Sequence, residues 1–192
     1  ESGQVQLRKQ WQSVEEVVGS AIRSARHALG GLEVATDVPA DLPLVEFDSA
    51  LMERVIVNLL ENAAKYGIPA GGRRPAILVS AVATASALEL RVRDYGPGLP
   101  VSSRGNEQVL FDKFTRGQAE SSTRGVGLGL AICKTIVEAH RGSHTLFLHA
   151  IDTDAGGVEA VLRVGALAPG AVAAQTHLAE VEVEDGGARR HH

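Results

Sequence analysis

Two asparagines, Asn58 and Asn62, stand four residues apart in the run Asn-Leu-Leu-Glu-Asn-Ala-Ala-Lys-Tyr. On a helix that spacing puts both amides on one face. Asparagine inside an apolar helix is unfavourable unless its amide finds partners. Side-chain carbonyl oxygens suit a hard cation such as Mg2+, which keeps several waters and binds substrate phosphates as well. Lys65 and Tyr66 follow one turn later, and the ammonium of Lys65 would add positive charge beside phosphate. A buried polar network between helix and sheet accounts for the two amides equally well.

A second group is Asp94-Tyr95-Gly96-Pro97-Gly98, at the end of an alternating run. An ionised carboxylate accepts hydrogen bonds and donates none. It therefore suits the exocyclic amine of adenine, which guanine does not present at that position. Gly96 and Gly98 let the backbone turn sharply and approach a ligand closely. A plain surface turn is the alternative. The third group is Gly125-Val126-Gly127-Leu128-Gly129-Leu130, opening an apolar helical pattern. Free backbone N–H groups at a helix start favour anions. The dinucleotide fingerprint would need a third glycine at position 130, which is Leu, and no P-loop motif occurs anywhere.

The elements that must position these groups follow from spacing. Residues 4–12 have strand character ending near Trp11. Ser13 and Glu16 form a capping box for a helix carrying Val14, Val17, Val18, Ala21, Ile22 and Ala25, stopped by Gly30-Gly31. Short strands are expected at 32–36 and 44–47. Asp48 or Ser49 can cap the asparagine helix, whose stripe is Leu51, Met52, Val55, Ile56, Leu59, Leu60 and Ala63. Strands at 76–83 and 87–94, a helix at 126–140 and a hairpin of 143–150 with 158–164 complete the list. Hairpins rather than alternating βαβ units predict a two-layer α/β sandwich, with helices on one face of a mixed, mainly antiparallel sheet. The stretch from Tyr95 to Gly125 is rich in Gly, Ser and Pro around one apolar island, Val109-Leu110-Phe111 with Phe114. Connections beyond about 12–15 residues are usually functional or disordered.

Composition bounds the rest. With 44% hydrophobic and 22% charged residues the chain has the balance of one soluble domain. The domain is expected over 1–165, with 166–192 a weakly ordered tail rich in Ala, Gly and acidic residues. The net charge of −4 argues against a nucleic-acid partner. No run approaches the ~18 apolar residues that span a bilayer, and the N-terminus has no apolar signal segment. One cysteine, Cys133, excludes an internal disulfide and reads as a small core residue. A reducing, cytoplasmic setting fits.

In this order the asparagine helix, the Asp-x-Gly-x-Gly strand end, Phe111-Asp112-Lys113-Phe114 and the Gly-rich helix start resemble the N, G1, F and G2 boxes of the histidine kinase ATP-binding domain. The resemblance runs from about Trp11 to about Val164. Glu53-Arg54-Val55-Ile56-Val57-Asn58 and Phe111-Asp112-Lys113-Phe114-Thr115-Arg116-Gly117 are similar to the KdpD-type, potassium-responsive branch of that family.

The resemblance implies a Bergerat-type sandwich that binds ATP with Mg2+. Asn62 would ligate the cation, and Asn58 would assist at the metal or the phosphates. Lys65 would touch phosphate, and Tyr66 would border the nucleotide. Asp94 would read adenine, with Gly96 and Gly98 shaping the pocket. Gly125, Gly127, Leu128 and Gly129 would present backbone to phosphate. Residues 99–124 would form a flexible lid anchored by Phe111 and Phe114, which serve equally as ordinary core. Lys113 and Arg116 would approach the γ-phosphate or a partner, or simply face solvent. An amide at 58, where gyrase-like relatives carry a glutamate, cannot activate water. The acceptor histidine would lie on the kinase's dimerisation domain, and a response regulator would act downstream. None of the seven histidines here has the His-Glu-x-x-x-Pro context of an acceptor, so the chain alone should not autophosphorylate. His140 and His144 read as structural caps. The parent protein would be an inner-membrane sensor, with no membrane contact by this segment.

Overall fold

The computed structural model describes residues 6–68, 75–84, 86–99, 109–112, 127–140, 144–150, 156–165 and 167–168; at 109, 112, 127, 128 and 147–150 it describes backbone alone. The chain runs β1 (Gln10–Gln12), α1 (Val14–Leu29), β2 (Val34–Asp37), β3 (Val45–Phe47), α2 (Ser49–Tyr66), β4 (Ile77–Ala83), β5 (Leu88–Asp94), α3 (Val109–Asp112), α4 (Gly127–Ala139), β6 (His144–Ala150) and β7 (Val158–Val164). Five strands form one sheet in the order β2-β4-β5-β7-β6. Only β2 and β4 pair in parallel; the other neighbours are antiparallel. β1 and β3 form a separate ribbon. The mixed, mainly antiparallel sandwich expected from the hairpin pattern is the fold observed.

Period-two burial explains which face the helices cover. Ile77, Val79, Ala81 and Ala83 on β4, and Leu88, Leu90, Val92 and Asp94 on β5, are buried, while alternate residues are half-buried. α2 supplies the opposite wall through Met52, Val55, Ile56, Leu59, Leu60, Ala63 and Ala64. Each large side chain so buried contributes roughly 1.5–3 kcal/mol. The uncovered face carries Glu89, Arg91 and Arg93, with an Arg91–Glu89 ion pair at 2.9 Å. This is the solvated face that the Leu88–Arg93 alternation implied.

Helix ends are fixed by side chains. Asp48 caps α2: Oδ1 accepts from the Leu51 N–H at 3.1 Å and Oδ2 from the Arg8 N–H at 2.8 Å. His140, fully buried, follows α4. Its Nδ1 donates to the Ile136 carbonyl at 2.8 Å, so its Nε2 is the acceptor for the Asp48 N–H at 3.2 Å. One imidazole thus joins the end of α4 to the start of α2. Between α1 and α2, Ser20 and Ser24 hydroxyls donate to the two oxygens of Glu53 at 2.9 and 2.7 Å. Leu167 bridges to Val45, and the Ala168 N–H donates to the Leu44 carbonyl at 2.9 Å. Pairing thus continues past residue 165, where the tail was expected to begin.

Cys133 is fully buried on α4, its Sγ 3.7 Å from the Val55 carbonyl. Burial pushes its thiol up to about 12, so it packs as the protonated core residue its context suggested.

His144 stacks on His140 with centroids 4.7 Å apart and is 4% exposed. Burial, reinforced by the nearby His140 and Lys9, lowers its pKa from 6.5 to about 4. The unfolded chain then takes up a proton below pH 6.5 while the folded chain waits until about pH 4. Stability should fall as pH drops through that window. Urea unfolding of the chain and of His144→Phe across it checks this: the variant should lose less, and equal slopes would refute the assignment.

Candidate functional site

α2 presents Leu59, Asn62, Ala63 and Tyr66 on one face, at spacings of three, four and seven. Opposite them stand Val92 and Asp94 of β5 with Val158 and Ala160 of β7. Pro97, Gly98 and Leu99, Leu110 of α3 and Leu130 of α4 close the sides. These groups enclose a cleft of about 360 Å³. Most of its wall is aliphatic, and three polar side chains enter: Asn62, Tyr66 and Asp94. Apolar walls with a few convergent polar groups characterise small-molecule sites.

Asp94 is 8% exposed. Its Oδ1 accepts two backbone N–H groups, from Gly96 at 3.0 Å and from Val158, 64 positions later, at 3.1 Å. No hydrogen bond to Oδ2 occurs among the described residues. Burial raises the Asp94 pKa, and the two backbone donors, with Arg93 nearby, counter that only in part. The surrounding backbone can come this close because it is glycine. A Cβ on Gly67, the C-cap of α2, would overlap the Asp94 side chain, and one on Gly96 would lie 2.5 Å from the Gly67 Cα. Gly157, at φ +114°, lies against the Asp94 carbonyl, where a side chain would clash as well as strain the backbone.

The other expected residues fall in several places. Asn58 is not part of the cleft wall. It lies beside the first turn of α4, where a methyl on Gly129 would meet its amide at 3.8 Å. Among the described residues neither the buried Asn58 Nδ2 nor the Tyr66 hydroxyl has a hydrogen-bond partner, although the Asn58 amide lies near enough to the Cys133 thiol to counter part of its pKa rise. Lys65 is exposed, with Nζ 5.1 Å from the Tyr66 ring centroid, and stands off the cleft wall. Gly127 and Leu128 open α4. Phe111 is 2% exposed but faces away from the cleft, into a second cavity with Val137, His144 and Leu146. Gly125, Lys113, Phe114 and Arg116 lie outside the described residues, as does most of 99–124.

Residues 47–168 match the profile of the histidine kinase-, DNA gyrase B- and HSP90-like ATPases. The chain belongs to this family.

Within this ATPase family, the chain is 46% identical over 147 residues to the sensor protein KdpD of Escherichia coli, covering 77% of this chain and 16% of that protein. It therefore spans about one sixth of the length of its KdpD relatives. The mycobacterial sensor histidine kinase MprB is 26% identical with a TM-score of 0.64, covering 84% of this chain and 99% of that one. Full-length ShkA in complex with AMPPNP shares the fold at a TM-score of 0.66 and 24% identity, over 86% of this chain and 33% of that one.

Several cleft residues of this ATPase domain carried no local signal. Leu110 and Leu130 sat unassigned within apolar runs. Val158 and Ala160 reach the cleft only because β7 pairs beside β5. Gly67 follows the last residue of α2 and Gly157 precedes β7, and nothing in their local sequence points to Asp94.

Asparagine at 94 would keep an acceptor for the Gly96 and Val158 N–H groups without the buried charge. Because burial raises the carboxyl pKa, the ionised form costs stability above that pKa. Ligand-free Asp94→Asn should unfold at higher temperature than the parent at pH 7, with the gain fading as pH falls toward 3.8. Calorimetric unfolding at the two pH values checks this, and a variant less stable at pH 7 would contradict it.

Proposed function

We propose that this chain is the ATP-binding catalytic domain of a KdpD-like sensor histidine kinase. It holds ATP with Mg2+ for transfer of the γ-phosphoryl group to a histidine on the dimerisation domain of the same kinase, from which a response regulator is phosphorylated. The observation that carries this reading is the convergence of Asp94 and the Asn62–Tyr66 face of α2 on one apolar-walled cleft.

Adenine fits between the aliphatic walls, and Asp94 accepts from its exocyclic amine. Oδ1 is already committed to two backbone N–H groups, which leaves Oδ2 for the base. Gly96 and Gly98 shape that end. The Tyr66 hydroxyl and the Asn58 amide nitrogen, both without partners among the described residues, donate to sugar or phosphate oxygens. Lys65 adds positive charge outside the wall. The start of α4 at Gly127, Leu128 and Gly129 directs its N–H groups toward phosphate.

The residues present fit Mg2+ as a guest of the nucleotide. Among the described residues no group of three or more His, Cys, Asp or Glu could hold a metal alone. The Asn62 and Asn58 amide oxygens can add to phosphate oxygens in its shell, and the cation would supply charge neutralisation at the phosphates. An amide at 58 cannot take a proton from water, so hydrolysis by the chain should be slow. The acceptor imidazole is itself a nucleophile, and catalysis then rests on positioning. Gly125, Lys113, Arg116 and Phe114 keep the roles the family resemblance implies: phosphate contact for Gly125, the γ-phosphate, a partner or solvent for Lys113 and Arg116, and anchoring for Phe114. The KdpD similarity supports a cytoplasmic domain of an inner-membrane sensor controlling potassium uptake genes. No described helix is long and apolar enough to cross a membrane.

Titration calorimetry tests the reading. Asp94→Asn and Asn62→Ala should each weaken Mg-ATP binding by about tenfold or more, the penalty of an unmet polar group in a buried site. GTP should bind poorly, and Mg2+ alone should give no heat. Undiminished ATP affinity in Asp94→Asn would sink the proposal.

A further inference from the structure

Gly129 and Cys133 stand one turn apart on α4, on the face turned toward α2. The Asn58 side chain reaches both. A methyl on Gly129 would meet its Cγ and Oδ1 at 3.8 Å. Cys133 is fully buried, and its thiol donates to the carbonyl of Val55, three residues before Asn58, at 3.7 Å. That donation leaves the sulfur as an acceptor. Burial pushes the thiol up to about 12, and the Asn58 amide is the neighbour that most opposes the rise. Only a donor near sulfur acts in that sense; a carbonyl oxygen there would raise the value further. An N–H of Asn58 Nδ2 therefore faces Cys133, and Oδ1 faces the first turn of α4. The contact is weak, since Nδ2 has no hydrogen bond among the described residues and sulfur is a poor acceptor. It matters because the two ends of an amide have the same shape and opposite electrostatics. The terminal torsion that exchanges them is broad and two-fold, so a directing neighbour decides which end the ligand meets.

We propose that Cys133 is a positioning residue for Asn58, its sulfur receiving one Nδ2 N–H so that the amide is held with Oδ1 toward the start of α4. This rests on the cleft and the start of α4 being the Mg-ATP site. At that end an oxygen suits a hard cation in the shell of the phosphates, and a nitrogen does not. The second N–H of Nδ2 remains for a sugar or phosphate oxygen. Cys133 touches no part of the nucleotide and acts only through the amide it orients. Valine at 133 would keep the apolar packing against α2 but offer the amide no acceptor, and the amide would then turn freely.

A double-mutant cycle on the 192-residue chain tests this, read by ATP calorimetry with and without Mg2+ and by thermal unfolding. Cys133→Val should lower Mg-ATP affinity about fivefold, the size expected of one modest hydrogen bond, with the melting temperature little changed. The loss should shrink when Mg2+ is removed and vanish in an Asn58→Ala background. Cys133→Ser keeps an acceptor in the same place. It should hold near-parental affinity while melting at a lower temperature, because it buries a hydroxyl. Affinity and stability then move in opposite senses across the two variants, which a purely structural role for Cys133 would not produce. Cys133→Ala serves the same cycle where valine does not pack. Parental Mg-ATP affinity in Cys133→Val, or a loss undiminished by Asn58→Ala, would overturn the proposal with ATP binding itself intact. So would a Cys133→Ser chain that binds as poorly as Cys133→Val. Failure of the parent chain to bind ATP would instead overturn the reading of the cleft, and this inference with it.

Discussion

The site depends on one buried carboxylate held by backbone. Asp94 is the last residue of β5, and its Oδ1 is fixed by N–H groups from the turn that follows and from the start of β7. Those donors, with Arg93 nearby, compensate part of the desolvation cost, so the carboxyl is buried yet keeps an acceptor oxygen free of described partners. The arrangement demands close backbone approach from the end of α2, the turn after β5 and the β6–β7 connection. Glycine stands at each point: Gly67, Gly96 and Gly157. The Gly67 contact also ties α2 to the carboxylate, so the helix bearing Asn58, Asn62 and Tyr66 is set in register with the Asp94 end of the cleft.

Much of this was legible because the signals were periodic. α2 announces itself by a stripe of seven apolar residues that a capping aspartate precedes, and β5 by strict alternation ending at Asp94. Both periods persist in the burial of the folded chain. The hairpin sense of the second half was enough to anticipate a mixed, mainly antiparallel sheet. What stayed hidden was long-range. Nothing local says that β7 lies between β5 and β6, and so nothing marks Val158 as a donor to Asp94 or Ala160 as cleft wall. The parallel pairing of β2 with β4 is hidden for the same reason. Four residues at 109–112 are too few to show which side of a helix faces where, and so nothing local marks Leu110 as cleft wall or Phe111 as lining of the second cavity.

Satisfied and unsatisfied polar groups are unevenly placed. At the scaffold end both Asp48 oxygens, both His140 nitrogens and both Glu53 oxygens are engaged, and they join α1, α2 and α4 to one another and to the N-terminal segment. At the cleft end the Tyr66 hydroxyl and the Asn58 amide nitrogen are buried without partners among the described residues, each at a cost of order 1–3 kcal/mol. Arg91 and Arg93 also leave a buried Nε unpaired among the described residues, but a guanidinium has other donors and both residues are half-buried on the face of the sheet away from α2. The difference has a thermodynamic consequence. A ligand that satisfies the cleft groups removes penalties already present in the folded state, and it stabilises the domain by mass action as well. The aliphatic wall adds area without orientation, so specificity falls to the few polar atoms whose geometry the backbone fixes. Under the proposed reading, selectivity would come from Asp94 and part of the affinity from the cleft groups whose partners a ligand would supply.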